Sequence, residues 1–375
     1  MKPKLLFVLP DLAAGGAHFM NVRLTQQLQQ RGWHVDLAVL FRRDEVIPAE
    51  TLSGLEVHRF NATNLPTKLA ALARLAQLAK RYDLVVGGME FAATNYGYLA
   101  AQLAQKPFLS WTHIAFAQHQ LNAGVADRAI TQWVYRRSQN VVFVSHGALE
   151  SLLLALGEKP ENVHWQVIEN FLDQPCPTVK EEVPDKRVFA KPVVAGIGRL
   201  ASQKAFDRLI RVHAALRNQG LDHHLLILGE GPLRRALSEQ ASALGVSETV
   251  FMPGHVTHVA AWLSHAAAFA LCSRYEGLPL VLLEALSCGV PAVAMDCPAG
   301  PREILDGGRY GLLVPDGDEV AMTEALGRLL RDANLRADYA DLGKERAKQY
   351  SAERIVPQWE ALFEQILTEQ GRRDG

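Results

Sequence analysis

The chain alternates short apolar runs with longer stretches in which apolar residues recur every three or four positions. Short runs rich in Val, Ile and Leu are typical of buried strands in a parallel sheet, and the longer pattern is typical of helices. The first cycle predicts a strand at residues 5–9, a glycine-containing loop, a helix at 17–31 and a strand at 35–40. The same pattern predicts strands at residues 57–60, 84–86, 108–111, 141–144, 193–197, 225–228, 250–252, 268–272, 292–295 and 311–314, with helices between them. Such alternation predicts an α/β fold with doubly wound parallel sheets.

The alternation stops at residues 172–192, a stretch with four prolines and mixed charges that is typical of a linker. The 375 residues also exceed the roughly 250–300 that one hydrophobic core usually supports. We therefore expect a Rossmann-like domain at 1–171 and a second one at 193–351, with the last helix, in 352–375, packing back on the first. Two such sheets would face a cleft and bind ligand beyond the carboxyl ends of their strands.

Composition indicates an ordinary soluble protein. Apolar residues make up 49% of the chain and the net charge is -1, so no basic excess argues for nucleic acid. No stretch approaches the roughly 20 apolar residues that span a bilayer. The four cysteines lack metal-ligand spacing, and we expect reduced, buried thiols in a cytoplasmic protein.

One stretch, residues 273–291, combines a short helix with two carboxylates. Pro279 suits the first helical position and Gly289 suits the end, while the side chains between them are apolar on nearly every face. Glu284 is the exception, and a carboxylate in such a helix is costly unless something binds it. Glu276 precedes the helix, near the end where anions are favoured. We expect a ligand with hydroxyls and phosphates here.

The frame Glu-Gly-x-Pro-x-x-x-x-Glu-Ala-x-x-x-Gly-x-Pro that begins at Glu276 resembles the paired-glutamate motif of the retaining, nucleotide-sugar-dependent glycosyltransferases of family four. Gly-Arg-Leu at 198–200 and Gly-Glu-Gly-Pro at 229–232 fall in that family's order. The resemblance covers nearly the whole chain, is strongest from 193 to 315, and is loosest from 41 to 140. Members have the two-domain architecture called GT-B, which agrees with the alternation of strands and helices.

The resemblance implies a role for each polar residue of the motif. Glu276 would contact hydroxyls of the transferred sugar and Glu284 those of the donor ribose, whereas Arg199 and Lys204 would neutralise the leaving diphosphate. His113, at a strand end, would border the reacting sugar, so that His113, Arg199, Lys204 and Glu276 form the catalytic set. Each has a plainer alternative: a helix cap for Glu276, a buried ion pair for Glu284, solvated cations for the two basic residues, and a structural histidine. The remaining implied donor contacts are Gly15, Gly16, Val256, Gly277, Leu278 and Leu280.

Neither a dinucleotide fingerprint nor a metal motif is convincing in this chain. Gly15 and Gly16 follow the first strand, where backbone N–H groups approach a phosphate or sugar, but the full Gly-x-Gly-x-x-Gly pattern is missing. The Asp-x-Asp pattern at 316–318 follows a strand and Pro315, where a turn or helix cap needs such residues. We therefore expect no metal and no cofactor, the nucleotide sugar being a substrate.

Residues 57–82 contain five basic residues and no acid, with five leucines at helical spacing. This segment could rest on an anionic membrane surface, although a core-packed helix with a solvated basic face is the commoner case. Residues 1–170 carry 16 basic and 13 acidic groups, a mild positive excess that suits a lipid-linked or acidic acceptor. The acceptor loops are expected at 41–55 and 88–122.

These patterns together favour an enzyme that transfers a sugar from a UDP- or GDP-sugar to a hydroxyl of a glycan or lipid-linked glycan. Retention and an α-glycosidic bond follow from the resemblance. The expected location is cytoplasmic, with a peripheral position at the cytoplasmic face of the membrane as an alternative. A nucleotide-sugar epimerase or hydrolase on the same fold, or a non-catalytic glycan- or nucleotide-binding subunit, remains an alternative. A nicotinamide dehydrogenase is disfavoured by the missing glycine fingerprint.

Overall fold

The computed structural model describes residues 2–13, 15–41, 47–173, 176 and 182–374. Their contacts divide the chain into two compact units, Met1–Phe171 with Ala352–Gly375 and Leu172–Ser351. Part of the expected linker, residues 174–175 and 177–181, and part of the first expected acceptor loop, residues 42–46, lie outside the described residues.

The first unit is built on a seven-stranded parallel sheet in the order β3-β2-β1-β4-β5-β6-β7. Its strands are β1 (Lys4–Leu9), β2 (His34–Phe41), β3 (Val57–Ala62), β4 (Leu84–Gly87), β5 (Phe108–Thr112), β6 (Asn140–Phe143) and β7 (His164–Val167). Its helices are α1 (Gly16–Gln30), α2 (Leu65–Ala79), α3 (Ala92–Ala104), α4 (Phe116–His119), α5 (Val125–Tyr135), α6 (His146–Leu156) and α14 (Ala352–Asp374).

Helices cover both faces of this sheet because successive residues of a strand point to opposite sides. Leu6 and Val8 of β1 belong to a buried cluster with side chains of α2, α3 and α5. Phe7, between them, meets Phe363 of α14 edge to face at 6.4 Å. Trp359 of the same helix packs on Trp111 of β5 at 4.6 Å, so α14 closes the core of the first unit.

The second unit is built on a six-stranded parallel sheet in the order β10-β9-β8-β11-β12-β13. Its strands are β8 (Val193–Ile197), β9 (His224–Leu228), β10 (Val250–Gly254), β11 (Ala268–Leu271), β12 (Ala292–Asp296) and β13 (Leu312–Pro315). Its helices are α7 (Phe206–Asn218), α8 (Arg234–Ala243), α9 (Val259–Leu263), α10 (Leu280–Ser287), α11 (Pro301–Ile304), α12 (Glu319–Arg331) and α13 (Ala333–Lys348). Two doubly wound parallel sheets confirm the predicted fold class.

In each sheet the strand order reverses direction once. The reversal lies between β1 and β4 in the first unit and between β8 and β11 in the second. Loops that leave the carboxyl ends of these strands diverge on either side of the reversal and leave a crevice, which is where open parallel sheets bind their ligands.

The structure corrects the expectation that all four cysteines are reduced. Cys176 and Cys288 are joined by a disulfide, while Cys272 and Cys297 are buried free thiols. Cys288 ends helix α10, and because 112 positions separate the two partners, no local pattern indicates the pairing.

Two smaller differences concern prolines and the expected linker. Pro279 is the residue before α10 rather than its first helical residue, whereas Gly289 follows the helix with a φ of 67°, as a helix end requires. The described part of residues 172–192 packs within the second unit, because Val188 is buried and its carbonyl is 2.8 Å from Nδ1 of His224.

Candidate active site

The loops at the reversal point of the second sheet hold four of the polar residues that the sequence singled out. Arg199 and Lys204 follow β8, and Glu276 follows β11, the strand paired with β8 across the reversal. Glu284 lies on α10, which begins four residues after Glu276. The structure therefore brings the diphosphate and sugar candidates together at the edge where a ligand is expected.

Glycines allow the loops after β8, β9 and β10 to approach backbone to backbone. A Cβ on Gly229 would lie 2.0 Å from the carbonyl oxygen of Gly198, and one on Gly231 would lie 2.5 Å from that of Leu200. Gly229 also has a φ of 137°, which side chains disfavour. The N–H of Gly229 donates to the carbonyl of Gly254 at 2.9 Å. These glycines therefore hold the loops after β9 and β10 against the loop that carries Arg199 and Lys204.

Lys204 and Glu276 form an ion pair at the centre of this edge. Nζ of Lys204 donates to Oε1 of Glu276 at 2.7 Å, and the side chains are 18% and 7% exposed. The backbone N–H of Glu276 donates to the carbonyl of Pro298 at 3.0 Å. The side-chain amide of Gln203 donates to the carbonyl of Tyr275 at 3.0 Å, which joins the loop after β8 to the loop after β11. Glu276 is therefore held by Lys204 and by the loop after β12 and does not cap α10, so the capping alternative fails.

Two groups beside this pair are available to an anion. Arg199 is exposed, and its guanidinium makes no hydrogen bond or ion pair with the part of the chain that the structure describes. No described side chain caps the amino end of α10, whose first N–H groups lack intrahelical partners. A cation and a helix amino end suit a phosphate, because the backbone N–H groups and the helix dipole both favour negative charge.

The apolar donor candidates form the start of α10. Gly277, Leu278 and Leu280 are buried, and Gly300 packs so closely that its Cβ would lie 2.7 Å from the carbonyl oxygen of Gly277. Val256, after β10, is half-buried. Glu284 is half-buried on α10 between the fully buried Leu283 and Ala285.

The Asp-x-Asp pattern has structural partners. Asp318 caps α12 by accepting a hydrogen bond from the backbone N–H of Ala321 at 2.9 Å, which confirms the predicted helix cap. Asp316 pairs with Arg208 at 2.9 Å. Among the described residues, one His/Asp/Glu cluster has metal-ligand spacing, Asp36 with Glu56 and His58, and it lies at the amino ends of β2 and β3, the edge opposite to the loops after β1 and β4.

Gly15 and Gly16 lie at the reversal point of the first sheet, after β1 and at the start of α1. Gly15 precedes the helix in an extended conformation, and no described side chain caps that end. A Cβ on Gly15 would lie 3.0 Å from Nδ1 of His18, whose Nε2 is 2.9 Å from Oδ1 of Asp11. The glycines thus leave room for the His18 ring beside an amino helix end.

His113 follows β5 at the same edge and is buried. Burial lowers its pKa to about 3, so the ring is neutral near pH 7. Its Nε2 is 3.3 Å from the amide nitrogen of Asn21, which also donates to the carbonyl of Gly88 at 2.7 Å. The structure therefore places His113 with Gly15 and Gly16 in the first unit.

Glu90, which the sequence analysis missed, lies beside His113. Its Oε1 accepts hydrogen bonds from the backbone N–H groups of His113 and Ile114, the second at 3.0 Å. Burial raises the pKa of this carboxyl to about 7, against the opposing effect of the backbone donors. The available signal was an acid three residues after the end of a buried strand and two residues after Gly88.

A cavity of about 720 Å³ lies elsewhere in the first unit, among the ends of α3, α5 and α14. Its polar lining includes Gln102, Lys106 and Arg137, at the amino ends of the strands, and none of the candidate catalytic or donor-binding residues lines it. Among the residues that the structure describes, every helix is too short or too polar to cross a bilayer.

Solved structures place this architecture in a known class. Anabaena HepE, solved in complex with UDP-glucose, superimposes with a TM-score of 0.85 at 20% identity, over 97% of this chain and 100% of HepE. The fold is that of the GT-B glycosyltransferases, which confirms the architecture that the sequence resemblance implied.

Two family models match this chain, one in each half. Residues 14–174 match the model described as Glycosyltransferase Family 4, and residues 191–332 match the model described as Glycosyl transferases group 1. Together the two matches extend over most of the chain and support a glycosyltransferase of the family-four type.

Two named relatives illustrate the range of similarity. An exopolysaccharide phosphotransferase of Streptomyces coelicolor is 37% identical over 177 residues, but the match spans 47% of this chain and only 18% of that protein. A Campylobacter jejuni enzyme named as a GalNAc-alpha-(1->4)-GalNAc-alpha-(1->3)-diNAcBac-PP-undecaprenol alpha-1,4-N-acetyl-D-galactosaminyltransferase is 25% identical over 97% of this chain and 99% of its own length.

Proposed function

We propose that the chain is a retaining glycosyltransferase that moves a sugar from a UDP- or GDP-sugar to a hydroxyl of a glycan or lipid-linked glycan, with an α-glycosidic bond as product. The observation that carries the proposal is the Lys204–Glu276 ion pair at the reversal point of the second sheet, next to Arg199 and the uncapped start of α10. The Campylobacter relative, named for an α-1,4 transfer to an undecaprenol-linked saccharide, supports both the acceptor class and the linkage.

This arrangement suits departure of a nucleoside diphosphate without a metal. When the donor binds, its diphosphate competes with Glu276 for the ammonium of Lys204, while Arg199 and the N–H groups of α10 take further phosphate oxygens. Glu276 is then free to accept hydrogen bonds from sugar hydroxyls, and Glu284 is assigned to the donor ribose. Fixed cations and N–H groups stabilise the charge that develops on the leaving phosphate.

His113, Gly15 and Gly16 are the residues of the first unit in the proposal, His113 beside the reacting sugar and the two glycines as donor contacts. A neutral imidazole borders the reacting sugar without adding charge, and the glycines admit the sugar and phosphate to the backbone N–H groups of α1. Gly277, Leu278, Leu280 and Val256 supply apolar and backbone contacts to the donor.

A UDP-sugar is the donor to test first, since HepE was solved with UDP-glucose. Thermal shift with UDP, GDP and their sugars selects the base, because a ligand that binds the folded state raises the unfolding midpoint. A midpoint that none of these nucleotides raises at millimolar concentration contradicts the proposed donor class.

Donor consumption with and without an acceptor decides between transfer and the alternatives. We expect diphosphate release in the presence of EDTA to depend on an acceptor saccharide and to be abolished by Glu276→Gln. Equal release without acceptor indicates a hydrolase, interconversion of sugars without release indicates an epimerase, and nucleotide binding with no turnover of any kind indicates a binding subunit.

A peripheral position on an anionic membrane is also part of the proposal. The five leucines of residues 57–82 do not share one face, because Leu75 is fully buried while Leu65 and Leu69 are 70% and 62% exposed. Helices α2, α3 and α5 lie on the same face of the sheet, and α5 adds the exposed Trp133, with Arg137 4.3 Å from its ring centre. Residues 65–81, 92–106 and 125–137 carry eight basic groups and a single acid.

Vesicle binding tests this surface. We expect co-sedimentation with phosphatidylglycerol vesicles to exceed that with phosphatidylcholine vesicles, and Lys80→Glu/Arg81→Glu to abolish the difference, because about 1 kcal/mol is contributed by each basic residue near an anionic surface. The matched control is Arg235→Glu/Lys348→Glu on the second unit, where both residues are exposed. Equal loss in both variants, or no preference for the anionic lipid, contradicts the membrane assignment.

A further inference from the structure

Glu90 occupies a position that a purely structural acid would rarely take. It lies beyond the carboxyl end of β4, next to β1 at the reversal point of the first sheet, and is only 8% exposed. The next residue, Phe91, has a φ of 55°, a strained value for a bulky side chain, and its ring stacks on Phe116 at 5.5 Å. Backbone strain that packing maintains is characteristic of functional sites, and the packing of Phe91 here fixes the backbone position of the neighbouring Glu90.

The two carboxylate oxygens of Glu90 have different surroundings. Oε1 accepts the backbone N–H groups of His113 and Ile114, which ties Glu90 to the loop after β5. In the part of the chain that the structure describes, no other residue donates a hydrogen bond to Oε2, although the backbone N–H of Glu90 itself bonds the carboxyl group. Oε2 is not one of the buried side-chain atoms without a partner, so it is the oxygen that a hydroxyl of a ligand can reach.

Other polar atoms at this edge also lack partners among the described residues. Nδ1 of His113 and Oδ1 of Asn21 are buried with no hydrogen-bond partner, and Nε2 of His113 is 3.3 Å from the Asn21 amide nitrogen. A cluster that offers a carboxylate oxygen, an amide oxygen and a ring nitrogen suits a ligand with several hydroxyls, because a hydroxyl both donates and accepts without adding charge.

We propose that Glu90 binds a hydroxyl of the acceptor saccharide through Oε2 and, through Oε1, positions the loop that carries His113. The inference rests on the proposed transferase function and assigns this chain a further acceptor-binding residue. Glu90 accepts a hydrogen bond only and no covalent bond to it forms.

Titration of Glu90 supplies a readout that a merely structural role would not give. Burial raises its pKa to about 7, so the carboxylate forms as the pH rises through neutrality. The titratable groups that interact with it are His113, whose pKa burial lowers to about 3, and Tyr135, whose pKa burial raises. His18, which is paired with Asp11, acts on His113. We expect kcat/KM for the acceptor to rise with pH through about 7.

The experiment compares wild type with Glu90→Gln, Glu90→Asp and the control Glu360→Gln, a glutamate of the same unit that binds Trp33 at 2.8 Å. The probes are octyl glycosides of glucose and of N-acetylgalactosamine, assayed with the UDP-sugar that wild type uses. Glutamine keeps an oxygen for the two backbone N–H groups, so a structural role predicts normal activity. Loss of a charge-assisted hydrogen bond predicts a fall in kcat/KM for the acceptor of about 10- to 100-fold, with unchanged UDP affinity.

The outcomes separate this inference from the proposed function. A selective loss in Glu90→Gln, with the pH transition gone and Glu360→Gln normal, supports it. Glu90→Asp, which keeps the charge on a shorter side chain, is expected to keep the pH transition at reduced activity, and it replaces Glu90→Gln if that variant fails to fold. Wild-type transfer with Glu90→Gln within twofold, or with the transition retained in it, overturns the inference alone. Absence of wild-type transfer to any probe overturns the proposed function and, with it, the role of Glu90.

Discussion

Removing the positive charge of Lys204 gives the sharpest prediction about the donor side. Lys204→Met leaves Glu276, 5% exposed, without its 2.7 Å partner. Breaking a buried ion pair from one side costs about 3–5 kcal/mol, and the partial exposure of Lys204 argues for the lower end, about 3 kcal/mol. For a domain of this size each kcal/mol lowers the unfolding midpoint by about 2–4 °C, so we expect a fall of about 6–12 °C.

The same variant is expected to lose nucleotide affinity while Glu276→Gln keeps it. If Lys204 releases Glu276 in order to bind the diphosphate, Lys204→Met loses a charge-assisted contact of about 1.5–3 kcal/mol, or about 10- to 100-fold in the Kd for UDP. Glu276→Gln removes the competitor for that ammonium, so UDP should bind at least as tightly although transfer is lost.

Isothermal titration with UDP and thermal unfolding measure both effects. The matched control is Lys191→Met, which removes an exposed ion pair with Asp222 in the same unit and should change neither quantity appreciably. Weaker UDP binding in Glu276→Gln, together with wild-type binding in Lys204→Met, would refute the exchange of partners at Lys204.

Three further predictions follow from other parts of the second unit. Burial lowers the pKa of His213 to about 3 from an ordinary 6.5, so between these values the unfolded chain binds a proton that the folded chain does not bind. The free energy of unfolding therefore falls as the pH drops below 6.5, by about 2 kcal/mol at pH 5. Calorimetry at pH 7.5 and pH 5 measures this difference. Gly229→Ala should abolish UDP binding because its Cβ would lie 2.0 Å from a carbonyl oxygen, whereas Gly220→Ala, at a φ of 79° with open space around it, should cost only about 1 kcal/mol and bind UDP normally. Reduction of the Cys176–Cys288 disulfide should lower the unfolding midpoint, since the cross-link joins residues 112 positions apart; equal midpoints with and without reductant would contradict it.

The fold class was predictable because its signal is local. A strand buried on both faces is a continuous apolar run, so the amino-acid sequence alone predicts β1, β4 and β9. Strand β7 was missed, since His164 and Gln166 interrupt its four residues on the exposed side of an edge strand. Helices α12 and α13 follow β13, the last strand, so no later strand marks their bounds in the sequence.

The candidate site was predictable as a set of residues and not as a set of contacts. Glu276 and Lys204 were each singled out by motif, yet 72 positions separate them and only the pairing of β8 with β11 brings them together. The disulfide was missed for the same reason, because the sequence around each cysteine has no pattern that indicates its partner. Glu90 was missed because one acid after a strand is common, and its burial against the loop of His113 depends on the whole first sheet.

The anomeric configuration of the product tests the central proposal most directly. Wild-type enzyme, the UDP-sugar selected by thermal shift and an octyl glycoside acceptor are followed by proton NMR in the presence of EDTA. We expect the α-anomeric signal of the donor to be replaced by a new α-anomeric signal of the product as UDP accumulates, at a rate that depends on the acceptor. A β-linked product, or UDP released at the same rate without acceptor, would contradict retaining transfer by this chain.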